Sequence, residues 1–160
     1  SAKLLYPDGR VQSVCQRFPS IKYKLIELCR VHKLLSKQLR GRILLGSFFD
    51  HKTQAECDWI WGTFFMFRMA NLKKLPKGKL NDDFFMYCED MQWCWDFKQL
   101  GLDIFYLPQA KVVHFLCQSN HSQKNNAMRE NYYRFINKNY FPGSIIGIKL
   151  LDNLLRLKLF

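Results

Sequence analysis

The stretch Phe84-Phe85-Met86-Tyr87-Cys88-Glu89-Asp90 constrains the chain more than any other. A run of bulky, β-capable side chains stops on two adjacent carboxylates, and a helical pattern opens there. Trp93, Cys94, Phe97 and Leu100 recur at helix spacing, and Gly101 supplies a stop. The spacing predicts a strand-to-helix turn with Glu89 and Asp90 in the first helical turn. Acids at that position are favoured by the positive end of the helix dipole, which accounts for one of them without invoking function. A carboxylate walled by Phe84, Phe85, Tyr87 and Trp93 is also placed to act as a general base. From the residues alone, capping and catalysis both remain open.

The rest of the sequence reads as a mixed α/β unit. With 160 residues, 48% hydrophobic content and 14 Phe, it can bury a core of ordinary size. No apolar run reaches the length of a membrane span, and the start lacks the charged-then-apolar layout of a signal peptide. The 6 Cys show no CxxC pair and no zinc-ligand rhythm; Cys57, Cys88, Cys94 and Cys117 sit in apolar segments that suit buried, reduced thiols. Pro7-Asp8-Gly9 predicts a hairpin over residues 4–20, followed by a helix over 21–40 with Gly41 as its stop. A mobile loop is expected over 47–56, a buried strand over 58–68 and a helix over 90–100. Two strands near 103–107 and 110–115 are divided by Pro108, a polar loop covers 118–126, and a helix runs over 126–139. A last amphipathic helix, 144–160, carries Ile145, Ile148, Leu151, Leu155 and Leu159 on one stripe, apart from a body formed by residues 1–143.

The formal net charge is +12, much of it between Lys22 and Arg42 and interleaved with leucines. Such a segment can lie on an anionic membrane face, on nucleic acid, or simply in water. No nucleic-acid module is recognisable and the aromatics read as core, so specific nucleic-acid binding is not expected.

Five segments, in order, carry a resemblance. They are Pro7-Asp8-Gly9 with Arg17-Phe18-Pro19-Ser20; Asp58-Trp59-Ile60-Trp61-Gly62; Asp83-Phe84-Phe85-Met86-Tyr87-Cys88-Glu89-Asp90; Gly101 to Pro108 with Val112-Val113-His114; and Tyr132 to Tyr140. Together they are similar to the C-terminal half of the catalytic domain of family 2 glycosyltransferases, in the rhamnosyltransferase-like branch. The fold this implies is α/β: a partial GT-A domain lacking the N-terminal nucleotide-binding strands and their Asp-x-Asp motif. The chain is then expected to be the acceptor-side part of an inverting enzyme and inactive alone. The implied partners are a nucleotide sugar and a glycan or lipid-linked acceptor of a bacterial envelope. The implied location is cytoplasmic, peripheral to the inner membrane, against an anionic surface.

The resemblance also assigns roles. Asp90 falls on the general base and Glu89 on its support. His114 falls near a divalent metal, Mg or Mn, expected in the complete enzyme and not held by this chain; a lone His on such a strand is more often a satisfied core or rim residue. Trp59, Trp61, Gly62 and Trp95 are acceptor-contact candidates, with core packing an equal reading for the strand tryptophans. Three positions depart from the pattern. Gln92 and Asp96 stand where the family has an acid and an Arg, and Asn81 stands for an Asp. A competing reading is a non-catalytic membrane- or partner-binding module derived from a glycosyltransferase.

Overall fold

A computed structural model describes residues 1–115 and 121–157, the side chains of 121–125 excepted. The turn at Pro7-Asp8-Gly9 forms as expected. Tyr6 N donates to Arg10 O at 2.8 Å, Gly9 N to Tyr6 O at 2.9 Å, and Gly9 takes a left-handed φ of 84°. The hairpin beyond it does not form. β1 (Ala2–Leu5) meets its return leg only at a Leu5–Val11 bridge, and its sheet partner is β5 (Ile104–Val113), in parallel. β2 (Cys15–Gln16) pairs antiparallel with β4 (Trp59–Ile60), and β3 (Ala55–Cys57) lies antiparallel on the other edge of β5. The long-range pairing wins because Ala2 and Leu4 are fully buried. A two-stranded ribbon would leave both side chains wet, whereas a sheet backed by helices covers them.

β5 is a single strand running through Pro108 rather than two strands divided by it. Its register jumps from Ala2↔Leu107 to Lys3↔Lys111, so Pro108 sits in a bulge where no ladder N–H is required. Of the strand predicted over 58–68, only Trp59–Ile60 pairs; the chain then turns through a 3₁₀ segment at Gly62–Phe64 into α3 (Met69–Leu72). The helix predicted over 21–40 is two helices. α1 (Ile21–Leu28) and α2 (Lys37–Leu44) are separated by a left-handed Arg30, and each opens on a serine cap, Ser20 accepting from Tyr23 N and Ser36 from Leu39 N. Gly41 lies inside α2, where an added Cβ would come within 2.9 Å of Phe48 O. The segment predicted as a mobile loop holds buried Phe49 and His51, with the Tyr106 hydroxyl donating to His51 O at 3.0 Å.

α4 (Glu89–Gln99) falls where its pattern predicted. α5 (His121–Asn139) starts ahead of residue 126, replacing the described part of the predicted loop; residues 118–120 lie outside the described residues. α6 (Pro142–Leu157) takes Pro142 at its start, where a missing N–H is harmless, and packs on α1. Leu159 lies outside the described residues. Cys57, Cys88 and Cys94 are buried free thiols as expected, and Cys117 lies outside the described residues. One apolar cluster joins Leu4, Val14, Ile60, Phe97, Ile104 and Tyr106; a second joins Phe84, Met91, Phe135, Ile136 and Ile148. No described helix is long and apolar enough to cross a membrane.

Arg17 ties these parts together. Its Nε donates to Ile43 O at 3.0 Å and a terminal nitrogen donates to Arg42 O at 2.8 Å, satisfying two carbonyls at the end of α2. The other terminal nitrogen donates to Asp58 at 3.1 Å, and Asp58 also accepts from Phe18 N at 2.9 Å. Asp58→Ala removes both bonds at a half-buried pair and is expected to lower unfolding free energy by about 2 kcal/mol. Urea denaturation measures this; an unchanged midpoint would mean the joint contributes nothing.

Candidate active site

Asp90 occupies the second position of α4. One carboxylate oxygen accepts from Gly62 N at 3.0 Å and the other from Met91 N at 2.8 Å. These bonds and the helix start stabilise the anion, yet burial outweighs them and raises its proton affinity above the usual Asp range. Glu89 is raised too, by burial first and by the neighbouring Asp90 charge, and its Oε2 is buried without a hydrogen-bond partner. Two carboxylates that hold protons more tightly than usual, side by side at a helix start, are a proton-accepting centre in chemical terms.

The entry to the helix differs from the strand-to-helix turn predicted for it. Residues 84–88 pair with no strand, and Tyr87 and Cys88 are both left-handed, at φ 66° and 69°. Consecutive left-handed residues without glycine cost on the order of 1–2 kcal/mol each. The elbow turns Phe84 inward, to 4% exposure, and leaves Phe85 at 95% in solvent, so Phe85 is no wall of the site. Asn131 Nδ2 donates to Met86 O at 2.7 Å and helps hold the elbow from α5.

Gly62, read from the sequence as an acceptor-contact candidate, is brought against Asp90. A Cβ there would meet Asp90 Cβ at 3.3 Å and the Trp93 ring at 3.7 Å, so hydrogen at this position allows the backbone N–H to reach the carboxylate. Trp93 is the indole beside the acid. Its Nε1 donates to Asn81 O at 2.8 Å, and its ring packs edge-on to Phe65. Trp95 points elsewhere, into an aromatic group with Phe18, Phe135 and Tyr140. Trp61 packs on the first apolar cluster. Trp59 donates its indole N–H to Arg17 O at 3.1 Å and lines an open cavity of about 290 Å³ with Phe18, Tyr23, Lys24, Met91 and Tyr132. Asp90 and Glu89 are not among its lining residues.

His114 follows the end of β5 and is not joined to the acid pair by any of these bonds. Its Nδ1 lies 2.9 Å from Gln12 Oε1, and the buried Gln12 donates to His114 O at 3.0 Å and Leu5 O at 3.3 Å. Among the described residues no three His, Cys, Asp or Glu side chains come together in a way that could hold a metal ion.

Against known proteins, no family model matches the chain and no solved structure matches it. One curated protein does: rhamnosyltransferase WbbL of Escherichia coli (strain K12) is 28% identical over 72 residues, 45% of this chain. The matched stretch spans 26% of that protein. The similarity is partial and hints at a glycosyltransferase relationship.

Trp93 stands beside the acid as its place in the helical pattern suggested, whereas Trp95 packs among aromatics. Two features of the site were not drawn from the sequence. The double left-handed elbow has no sequence signal, since neither Tyr nor Cys favours that conformation. Gln12, which holds His114, was visible only as a polar residue between Val11 and Val14.

Raised carboxyls set the sign of the pH dependence. For Asp90, Glu89 and Asp96, burial lifts proton affinity in the folded state. Their contribution to stability is fully present below the ordinary carboxylate range and is lost as pH rises through the raised folded values. Asp90→Asn is expected to raise the melting temperature near neutral pH, with the advantage over wild type shrinking as pH falls through that window. A constant difference at all pH values would show that Asp90 is not strained by its charge.

Proposed function

We propose that this chain is the acceptor-side part of an inverting family 2 glycosyltransferase of GT-A type, with Asp90 as general base. The observation that carries the reading is the half-buried Asp90 carboxylate, held by Gly62 N–H at 3.0 Å behind a strained elbow, with its proton affinity raised. The partial similarity to a rhamnosyltransferase supports it. Each carboxylate oxygen keeps a lone pair beyond the backbone bond it accepts. In inverting transfer the acceptor hydroxyl oxygen forms a bond to the anomeric carbon of the donor. The bond from that carbon to the diphosphate breaks, and the leaving nucleoside diphosphate takes the electron pair. The hydroxyl proton passes to Asp90. Glu89, whose Oε2 has no hydrogen-bond partner among the described residues, adds a second acceptor beside that proton.

Trp59 and the aromatic cavity it lines give a surface on which a sugar ring can stack next to Met91, the residue after the base. Trp61 and Trp95 contribute by packing, which keeps Trp59 and α4 in place. In a complete enzyme His114 would supply one nitrogen to a Mg or Mn ion whose oxygen ligands would come from a donor-binding portion, and the ion would neutralise charge on the leaving diphosphate. The departures Gln92 and Asp96 answer one another: Gln92 Nε2 donates to Asp96 at 2.7 Å, and Asn139 donates to Gln92 Oε1 at 2.8 Å. An i,i+4 acid and Arg would occupy the same turn of helix.

In a polypeptide that carries both this chain and a donor-binding portion, Asp90→Asn is expected to lower turnover about 10²- to 10⁴-fold while donor affinity stays unchanged. Glu89→Gln costs less. Initial-rate kinetics with calorimetric titration of the nucleotide sugar reads both quantities. Turnover retained in Asp90→Asn would reduce the acid to a helix-start charge and favour a non-catalytic module.

A further inference from the structure

α6 is apolar on two faces, and the body of the protein uses only one. Ile148 and Leu151 are buried, with Ile145 packed on the second apolar cluster, and this is the stripe that the sequence predicted. A second row, Ile146, Leu150, Leu154 and Leu157, stands in solvent at 69%, 58%, 40% and 73% exposure. The helix cannot roll to hide it. Buried Asp152 is paired with Lys24 of α1, and Gly147 lies so close to α1 that an added Cβ would come within 2.7 Å of Ile21 Cδ1. The close approach sets Ile21 and Leu25 of α1, at 36% and 43% exposure, against the same helix. An apolar ridge of this size on a monomer, a few hundred Å² in order of magnitude, marks an interaction surface.

Its chemistry selects the occupant. The six exposed residues are aliphatic, with none of the Tyr or Trp anchors that concentrate binding energy in protein interfaces. Cations border it. Lys149 lies over the Tyr133 ring at 5.6 Å, and Arg129 and Arg156 lie close enough to act on the same phenol. Exposed Lys22 stands on α1, and exposed Arg30 lies just beyond its end. The exposed acids of α1 and of the described part of α5 are Glu27 and Glu130, and the whole chain carries a net charge of +12. Aliphatic side chains at the crest with Lys and Arg on the flanks suit the boundary between acyl chains and anionic headgroups. We propose that α1 and α6 together form a platform that seats this protein on an anionic lipid bilayer. The inference stands whether or not the chain takes part in sugar transfer.

Co-sedimentation of the intact chain with phosphatidylcholine vesicles, with and without phosphatidylglycerol, tests it. Wild type is expected to partition to the phosphatidylglycerol vesicles at low salt and to be released by high salt. Ile146→Glu with Leu150→Glu is expected to weaken that partitioning at least about tenfold while circular dichroism stays unchanged. Should that double variant unfold, Leu154→Ser with Leu157→Ser, also at exposed positions, gives the same reading. Lys149→Glu with Arg156→Glu is expected to weaken binding while leaving the apolar ridge intact. Absence of binding by wild type, or equal binding by folded ridge variants, overturns the proposal. So does a dimer, seen by light scattering, that the ridge substitutions dissociate without any binding of wild type to vesicles.

Discussion

The guanidinium of Arg17 is the constraint on which the arrangement depends. It joins two places that the sequence keeps apart, the end of α2 and Asp58 before β4, while the backbone carbonyl of Arg17 accepts from the Trp59 indole. A rigid fork of donors can bridge two carbonyls and a carboxylate at once; a lysine could not. Fixing Asp58 fixes β4, and β4 delivers Gly62 two residues beyond its end. The N–H that holds Asp90 is therefore positioned through the joint between Arg17 and Asp58. The Arg-Phe-Pro and Asp-Trp segments noticed separately in the sequence form one joint.

What was legible in the sequence follows the range of the forces involved. α4 and the apolar stripe of α6 were readable because their periodicity is local, although α6 begins at Pro142, ahead of the start expected at residue 144. The Pro7-Asp8-Gly9 turn was readable for the same reason. The partner of β1 was not, since any strand with the right alternation could have covered Ala2 and Leu4. The break between α1 and α2 was missed because Ser20 and Ser36 are ordinary surface residues until their hydroxyls cap a helix. At the site, the two acids at the start of α4 and Trp93 beside them follow from local spacing, whereas the elbow and the approach of Gly62 to Asp90 depend on tertiary packing.

The acid pair is surrounded by neutral or self-satisfied groups. Gln92, Asp96 and Asn139 bond among themselves, and Trp93 spends its N–H on Asn81. The described hydrogen bonds and ion pairs put no cation on Asp90, and it accepts only from backbone N–H groups. A nearby Lys or Arg would have lowered its proton affinity and spoiled it as a base. The cationic excess of the chain is spread over α1, α2, α5 and α6 instead.

The parallel pairing of β1 with β5 sets how this protein is made. Leu4 finds Val112 only after the intervening chain exists, and β3 attaches to that same late strand. A sheet closed by such distant contacts is slow to assemble, because loop closure precedes any reward from burial. During synthesis β1 waits with a bare edge and two apolar side chains uncovered, a natural site for misassociation. The helical segments can form meanwhile, so the last event in folding is expected to be the closing of the sheet beneath the Asp90 site.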